Sequence, residues 1–134
     1  MTDPQARPVT AVLVHGGFLG PWIWADTVKL LEARGVQSVT MDLPSSQDSS
    51  GRLPGLHEDA EAVRVALDGC ADAVLCGHSY AGAVISEAAA GPHRAVRHLV
   101  FLAAAVPGRR RQPGNPGRGG HQQQPSRSAG RIRR

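Results

Sequence analysis

The sequence is short of cysteine, of aromatic residues and of long apolar runs, and each shortage removes a class of protein. Its two cysteines, Cys70 and Cys76, match no metal-ligand spacing and make no disulfide framework of the kind small secreted domains need. No metal and no cofactor are expected. The longest apolar run, Leu99–Val106, has eight residues, against the roughly 20 that a membrane-spanning helix requires. Met1–Pro8 is polar and lacks the apolar centre of a signal peptide. The expectation is a cytoplasmic protein with no membrane partner.

Acids run out before the chain does. All 11 Asp and Glu residues lie at or before Glu87. Residues 1–107 carry a net charge of −4, while residues 108–134 hold 8 arginines and no acid. That last stretch contains 9 Gly or Pro and only Ala129 and Ile132 as apolar residues. It cannot bury a core and is expected to be disordered. Its aromatic content is nil, so nothing in it stacks on bases, and no nucleic-acid partner is expected. The organisation read from composition is a tail at 1–9, one domain at 10–107 and a basic tail at 108–134.

What remains in residues 10–107 alternates strands and helices. Thr10–His15 is a β-branched apolar run that exits at Gly16-Gly17. Pro21–Arg34 reads as a helix, with Trp24, Val28 and Leu31 on one stripe and Gly35 as its stop. Val36–Met41 is a second strand, and Asp42–Gly55 a loop rich in Ser, Pro and Gly. Leu56–Leu67 is a helix with Ala60, Val63 and Leu67 on one face. Ala73–Cys76 is a third strand, Ala83–Ala90 a small-residue helix and Val96–Ala104 a fourth strand. This order predicts a three-layer α/β/α domain with a short parallel sheet of about four strands. Ligands of such sheets bind at the carboxyl ends of the strands.

Two motifs fall at those ends. Gly77-His78-Ser79-Tyr80-Ala81-Gly82 places a serine in a tight strand-to-helix turn, with its hydroxyl thrust above the sheet and a helix N-terminus beside it. This is the nucleophile-elbow pattern G-x-S-x-G with Ala81 in the last place. The bland alternative is a serine capping an ordinary helix. His15-Gly16-Gly17-Phe18 closes the first strand. Acyl transfer needs two N–H donors where the carbonyl oxygen gains charge. The amides of Tyr80 and Gly17 are the simplest pair, with Phe18 the neighbouring possibility.

Taken together, VLVHGGFLGPWIW at Val12–Trp24, MDLPSS at Met41–Ser46 and VLCGHSYAGAVI at Val74–Ile85 resemble the N-terminal half of an α/β-hydrolase. The resemblance lies nearest to small esterases related to plant methylesterases and hydroxynitrile lyases. It covers roughly residues 10–107. It implies Ser79 as nucleophile, Gly17 and Tyr80 as oxyanion hole, no cofactor and a small-molecule ester as substrate. His15 resembles the histidine that orders the oxyanion loop, with Gly16 and Phe18 as the rest of that support. Gly16 stands where lyases of the family tend to carry threonine, which favours an esterase.

A serine nucleophile needs a histidine base and an orienting acid, which follow it in the chain in this fold. After Ser79 the only acid is Glu87, about 12 Å along its helix, and it reads as a solvated charge. His93 belongs to the far end of the sheet, His98 to the last strand and His121 to the tail. Asp42, Asp48 and His57 precede the serine. The expectation is therefore a truncated domain with a disordered tail, arising from a frameshift after Pro107, in which activity is weak or lost. The alternative is a non-catalytic fragment or a half-domain that needs a partner. With strands ordered second, first, third, fourth, the apolar last strand forms an exposed edge that invites self-association.

Overall fold

The computed structural model describes residues 7–47, 54–104 and 106–108. Asp48, His121 and nearly all of the basic segment lie outside the described residues.

Four strands form one parallel sheet: β1 Val9–Val14, β2 Gln37–Thr40, β3 Asp72–His78 and β4 Val96–Leu102, in the order β2-β1-β3-β4. That is the order the sequence predicts. Between them run a 3₁₀ turn at Pro21–Trp24, α1 Ala25–Glu32, the short α2 Pro44–Gln47, α3 Leu56–Asp68 and α4 Ala81–Ala90.

The differences from the sequence reading are local. The single helix expected over Pro21–Arg34 is a 3₁₀ turn joined to a shorter α1. Pro21 starts the turn, having no N–H to lose at a helix start. α1 ends at Glu32, two residues before the expected end, and the turn that follows it closes at Gly35, which adopts φ 75°. That left-handed conformation suits glycine at a helix end. Within the expected loop, α2 forms one turn after Pro44. β3 runs on to His78, two residues further than its apolar run, and α4 starts two residues earlier than expected.

Parallel register puts alternate residues of neighbouring strands on the same face. Val12 pairs with Leu75 and with Val39. Val12, Val14, Ala73 and Leu75 are buried with Ala60, Val63 and Leu67 of α3 and Val84, Ile85 and Ala88 of α4. α3 and α4 therefore share one face of the sheet and close the main core there. The opposite face carries Ala11, Leu13, Val74 and Cys76, and α1 approaches it without burying a residue of its own. β4 is an edge strand of this sheet, and Leu99, Val100 and Leu102 are exposed along it.

Candidate active site

The site is assembled where β1 and β3 end. β3 leaves the sheet at His78, Ser79 turns with φ 55°, and α4 begins at Ala81. A positive φ at a non-glycine residue costs about 1–3 kcal/mol and persists only where the surroundings hold it. Here the Ser79 N–H donates to the Leu102 carbonyl of β4 at 3.1 Å, and the Gly82 N–H donates to the Ser79 carbonyl at 3.0 Å. Ser79 itself is exposed.

The turn is possible only because its neighbours are small. A Cβ on Gly77 would lie 2.6 Å from the Ala81 carbonyl oxygen, which no real Cβ tolerates. A Cβ on Gly16 would lie 3.2 Å from the Ser79 Cβ and 3.0 Å from His78 Nδ1. The loop after β1 thus rests on the serine turn. Gly17 follows the same line, its Cβ position 3.7 Å from the Tyr80 Cβ. The structure brings Gly16, Gly17, Ser79 and Tyr80 together. Neither the Gly17 nor the Tyr80 N–H has an acceptor among the described residues. Ala81, in the last place of the serine motif, is a fully buried member of the core.

His15 is fully buried, and both its ring nitrogens are engaged. The Leu43 N–H donates to Nε2 at 3.1 Å, so Nε2 is unprotonated and Nδ1 carries the hydrogen. Nδ1 in turn donates to the Gly16 carbonyl at 2.8 Å. The imidazole therefore ties the loop after β1 to the loop after β2 and has no nitrogen left for Ser79. Phe18 adopts φ 59° and is fully exposed at the rim. A cleft of about 620 Å³ opens between residues 15–19, Ser45, Ser46, Pro54 and Tyr80.

Sequence reasoning missed Asp59. It is fully buried and accepts three hydrogen bonds: from the Ser45 N–H at 2.9 Å, the Ser45 hydroxyl at 2.6 Å and the Tyr80 hydroxyl at 2.9 Å. Burial and the neighbouring Asp59 push the Tyr80 phenol up to about 12. The signal was present in the spacing. Asp59, Val63 and Leu67 stand at i, i+4 and i+8, which puts an aspartate on the buried stripe of α3.

None of the other ionisable candidates among the described residues is bonded to the serine. Glu87, expected to be a solvated helix charge, lies at the surface and pairs with the exposed His57 at 3.2 Å across α3 and α4. His93 sits in the connection between α4 and β4, where its Nε2 donates to Asp68 at 3.0 Å and its Nδ1 accepts the Ala95 N–H at 3.2 Å. His98 is exposed on β4, and Asp42 is exposed after β2. Among the described residues no histidine or carboxylate is hydrogen-bonded to Ser79, and no cluster of three or more His, Cys, Asp or Glu could hold a metal. No helix among them is long and apolar enough to cross a membrane.

Comparison with known proteins agrees with this architecture. The alpha/beta hydrolase family matches residues 11–134. The chain belongs to that family. The match continues into the arginine-rich segment, whereas curated relatives align over about a hundred residues. The putative chloroplastic methylesterase 11 of Arabidopsis thaliana is 34% identical over 101 residues, covering 71% of this chain and 26% of that protein. Polyneuridine aldehyde esterase of Rauvolfia serpentina is 32% identical over 102 residues, covering 72% of this chain and 39% of that protein. Its crystal structure superposes with a TM-score of 0.63 at 28% identity, covering 75% of this chain and 42% of that one. A pyrethroid hydrolase from Sphingobium faniae superposes at 0.65 with 27% identity, covering 73% of this chain and 40% of that one. The chain thus spans less than half the length of the esterases it matches.

Proposed function

We propose that this chain carries the nucleophile-bearing part of a serine ester hydrolase acting on a small-molecule ester in a cytoplasmic setting. Ser79 is the nucleophile and the turn around it a nucleophile elbow. Its Oγ adds to the ester carbonyl carbon, and the Gly17 and Tyr80 N–H groups hold the oxygen that becomes negative. The carbon–oxygen bond to the alcohol then breaks, and the proton lost by Oγ leaves with the alcohol. Water attacks the acyl-serine, releases the acid and restores Ser79. His15 orders the loop that presents Gly17, with Gly16 and Phe18 completing that support. No cofactor enters the reaction.

The observation that carries this reading is an exposed serine held at positive φ between a parallel strand and a helix, flanked by Gly17 and Tyr80, whose N–H groups have no acceptor among the described residues. Residues 1–134 supply no base for Ser79 among those described, so this chain alone turns over simple activated esters weakly. A preformed oxyanion hole can retain about 10³–10⁴-fold acceleration over water when triad members are missing.

The second reading is a non-catalytic half-domain that completes itself on a partner, and the lack, among the described residues, of a histidine or acid bonded to Ser79 favours it. A fluorophosphonate separates the two. Under the first reading the full chain gains one phosphonyl mass, mapped to Ser79 by peptide sequencing and lost in Ser79→Ala. A chain that stays unmodified at millimolar reagent over hours supports the second reading and sinks the first.

A further inference from the structure

The buried Asp59 carboxylate is expensive unless every lone pair is used. An apolar side chain of similar volume at this point in the α3 stripe would fill the same space without that cost. Capping does not explain the residue either, because Glu58 takes that task and accepts the Gly55 N–H at 2.7 Å. All three donors to Asp59 come from outside α3, and they come from two places only, Ser45 and Tyr80. Ser45 lies in α2, two residues beyond Leu43, and Leu43 is bonded to His15. Ser46 adds a bond within the same turn, its hydroxyl donating to the Leu43 carbonyl at 2.7 Å.

These contacts make one continuous path. It runs from the Gly16 carbonyl through His15 to Leu43, along the chain to Ser45, through Asp59 and into Tyr80. The Leu43–Ser45 segment just after β2 is therefore held from two sides, by a buried imidazole and by a buried carboxylate. The path ends at the Gly16–Gly17 peptide on one side and at Tyr80 on the other, and a Cβ on Gly17 would lie 3.7 Å from the Tyr80 Cβ. Position in the first turn of α3 also sets Asp59 against the positive end of the helix, which lowers the cost of its burial.

We propose that Asp59 is a positioning residue for the Ser79 site: by joining Tyr80 to Ser45 it fixes the spacing between the Tyr80 and Gly17 amides and holds two walls of the adjoining cleft. The role in acyl transfer rests on the ester-hydrolase reading, but the positioning itself does not. Asp59 has no hydrogen bond to Ser79 and acts only through Tyr80 and Ser45. The remaining charge felt at the Tyr80 hydroxyl is Glu87 on α4, a weaker influence than Asp59.

Tyr80 is the only tyrosine in the chain, so its phenol can be titrated by ultraviolet absorbance without interference. The full chain, labelled with ¹⁵N, is compared with Asp59→Asn. In the wild type the phenol titrates near 12; the variant should titrate lower, stopping short of the ordinary value of 10.0 because burial persists. The Tyr80 and Gly17 amide resonances should shift together, while those of Val12 and Leu75 in the core stay in place. Phosphonylation of Ser79 should slow by roughly ten- to a hundredfold, the penalty for a sub-ångström misplacement of a reacting group.

An unmoved phenol midpoint, or unmoved Tyr80 and Gly17 amides in a folded variant, overturns the proposal. So does an unchanged phosphonylation rate in a protein whose wild type reacts. If Asp59→Asn fails to fold, Tyr80→Phe removes the same link from the exposed end. The Ser45 and Gly17 amides should then shift, and their failure to do so overturns the proposal in turn. A wild type that never takes the phosphonate sinks the ester-hydrolase reading, and the phenol and amide measurements still decide the role of Asp59.

Discussion

Two helices flank the central strand pair and make unequal use of it. α3 buries Asp59, Ala60, Val63 and Leu67 against β1, β3 and α4. α1 buries nothing, leaves Leu30 exposed and stands over a cleft of about 520 Å³ bounded by Leu31, Val9, Ala11 and Val74. Both helices are amphipathic in sequence, so periodicity alone does not separate them. What separates them is the company each keeps. α3 has a second helix beside it on the same face, while α1 approaches its face alone. The candidate site hangs from the well-packed side, through Asp59 and through the start of α4.

That asymmetry sets the largest effect we expect. Leu67→Ala removes a fully buried side chain from the core between α3, α4 and the sheet. It should lower the unfolding free energy by about 2–5 kcal/mol. Leu31→Ala, on the half-buried stripe of α1, should cost about 1 kcal/mol or less. Urea unfolding followed by Trp fluorescence measures both, with the slopes checked for equality before the midpoints are compared. Equal costs at the two positions would mean that the two faces are packed alike, and the comparison would be lost.

A smaller effect appears on the alkaline side. The Tyr80 phenol titrates near 12 in the folded chain and near 10.0 once unfolded. The folded state therefore holds this proton more tightly. The corresponding stability is complete below pH 10 and disappears as pH rises toward 12, since the unfolded chain then releases a proton that the folded chain retains. Urea midpoints measured every half unit from pH 9 to 11.5 should fall more steeply in the wild type than in Tyr80→Phe. Parallel curves would show that the phenol feels no special surroundings.

The larger part of the fold was legible because it rests on strong, local signals. Four short apolar runs separated by helical stripes dictate a parallel sheet, and the serine turn lies at a strand end by spacing alone. The packing of Gly16 against Ser79 could be expected in outline, because two glycine-rich strand exits in adjacent strands must meet. Asp59 was hidden for a physical reason. An acid in the first turn of a helix ordinarily faces water and favours the helix N-terminus there; the spacing from Val63 and Leu67 points Asp59 inward, but the donors that make its burial tolerable, Ser45 and Tyr80, cannot be read from that spacing. Both belong to segments far from it in sequence. The pairing of Glu87 with His57 was hidden likewise, since it depends on how α3 and α4 lie side by side.

That pair supplies the smallest expected effect and a sharp check on the site's limits. A histidine and a carboxylate 3.2 Å apart have the chemistry of a base and its orienting acid. Their position argues against that use. The His57 side chain is 84% exposed and that of Glu87 40%. Glu87 stands eight residues beyond Ser79, which carries it about 12 Å along the helix axis from that serine. An exposed ion pair of this kind contributes little to folding, because water screens it and both side chains must be ordered to form it. His57→Ala should therefore change stability by less than about 1 kcal/mol. It should also leave the rate of Ser79 phosphonylation where it was, from pH 5 to pH 9. A rate that fell with His57→Ala and lost its pH dependence would bring His57 into the reaction. It would place a base on the packed side of the sheet, ahead of the serine in the chain.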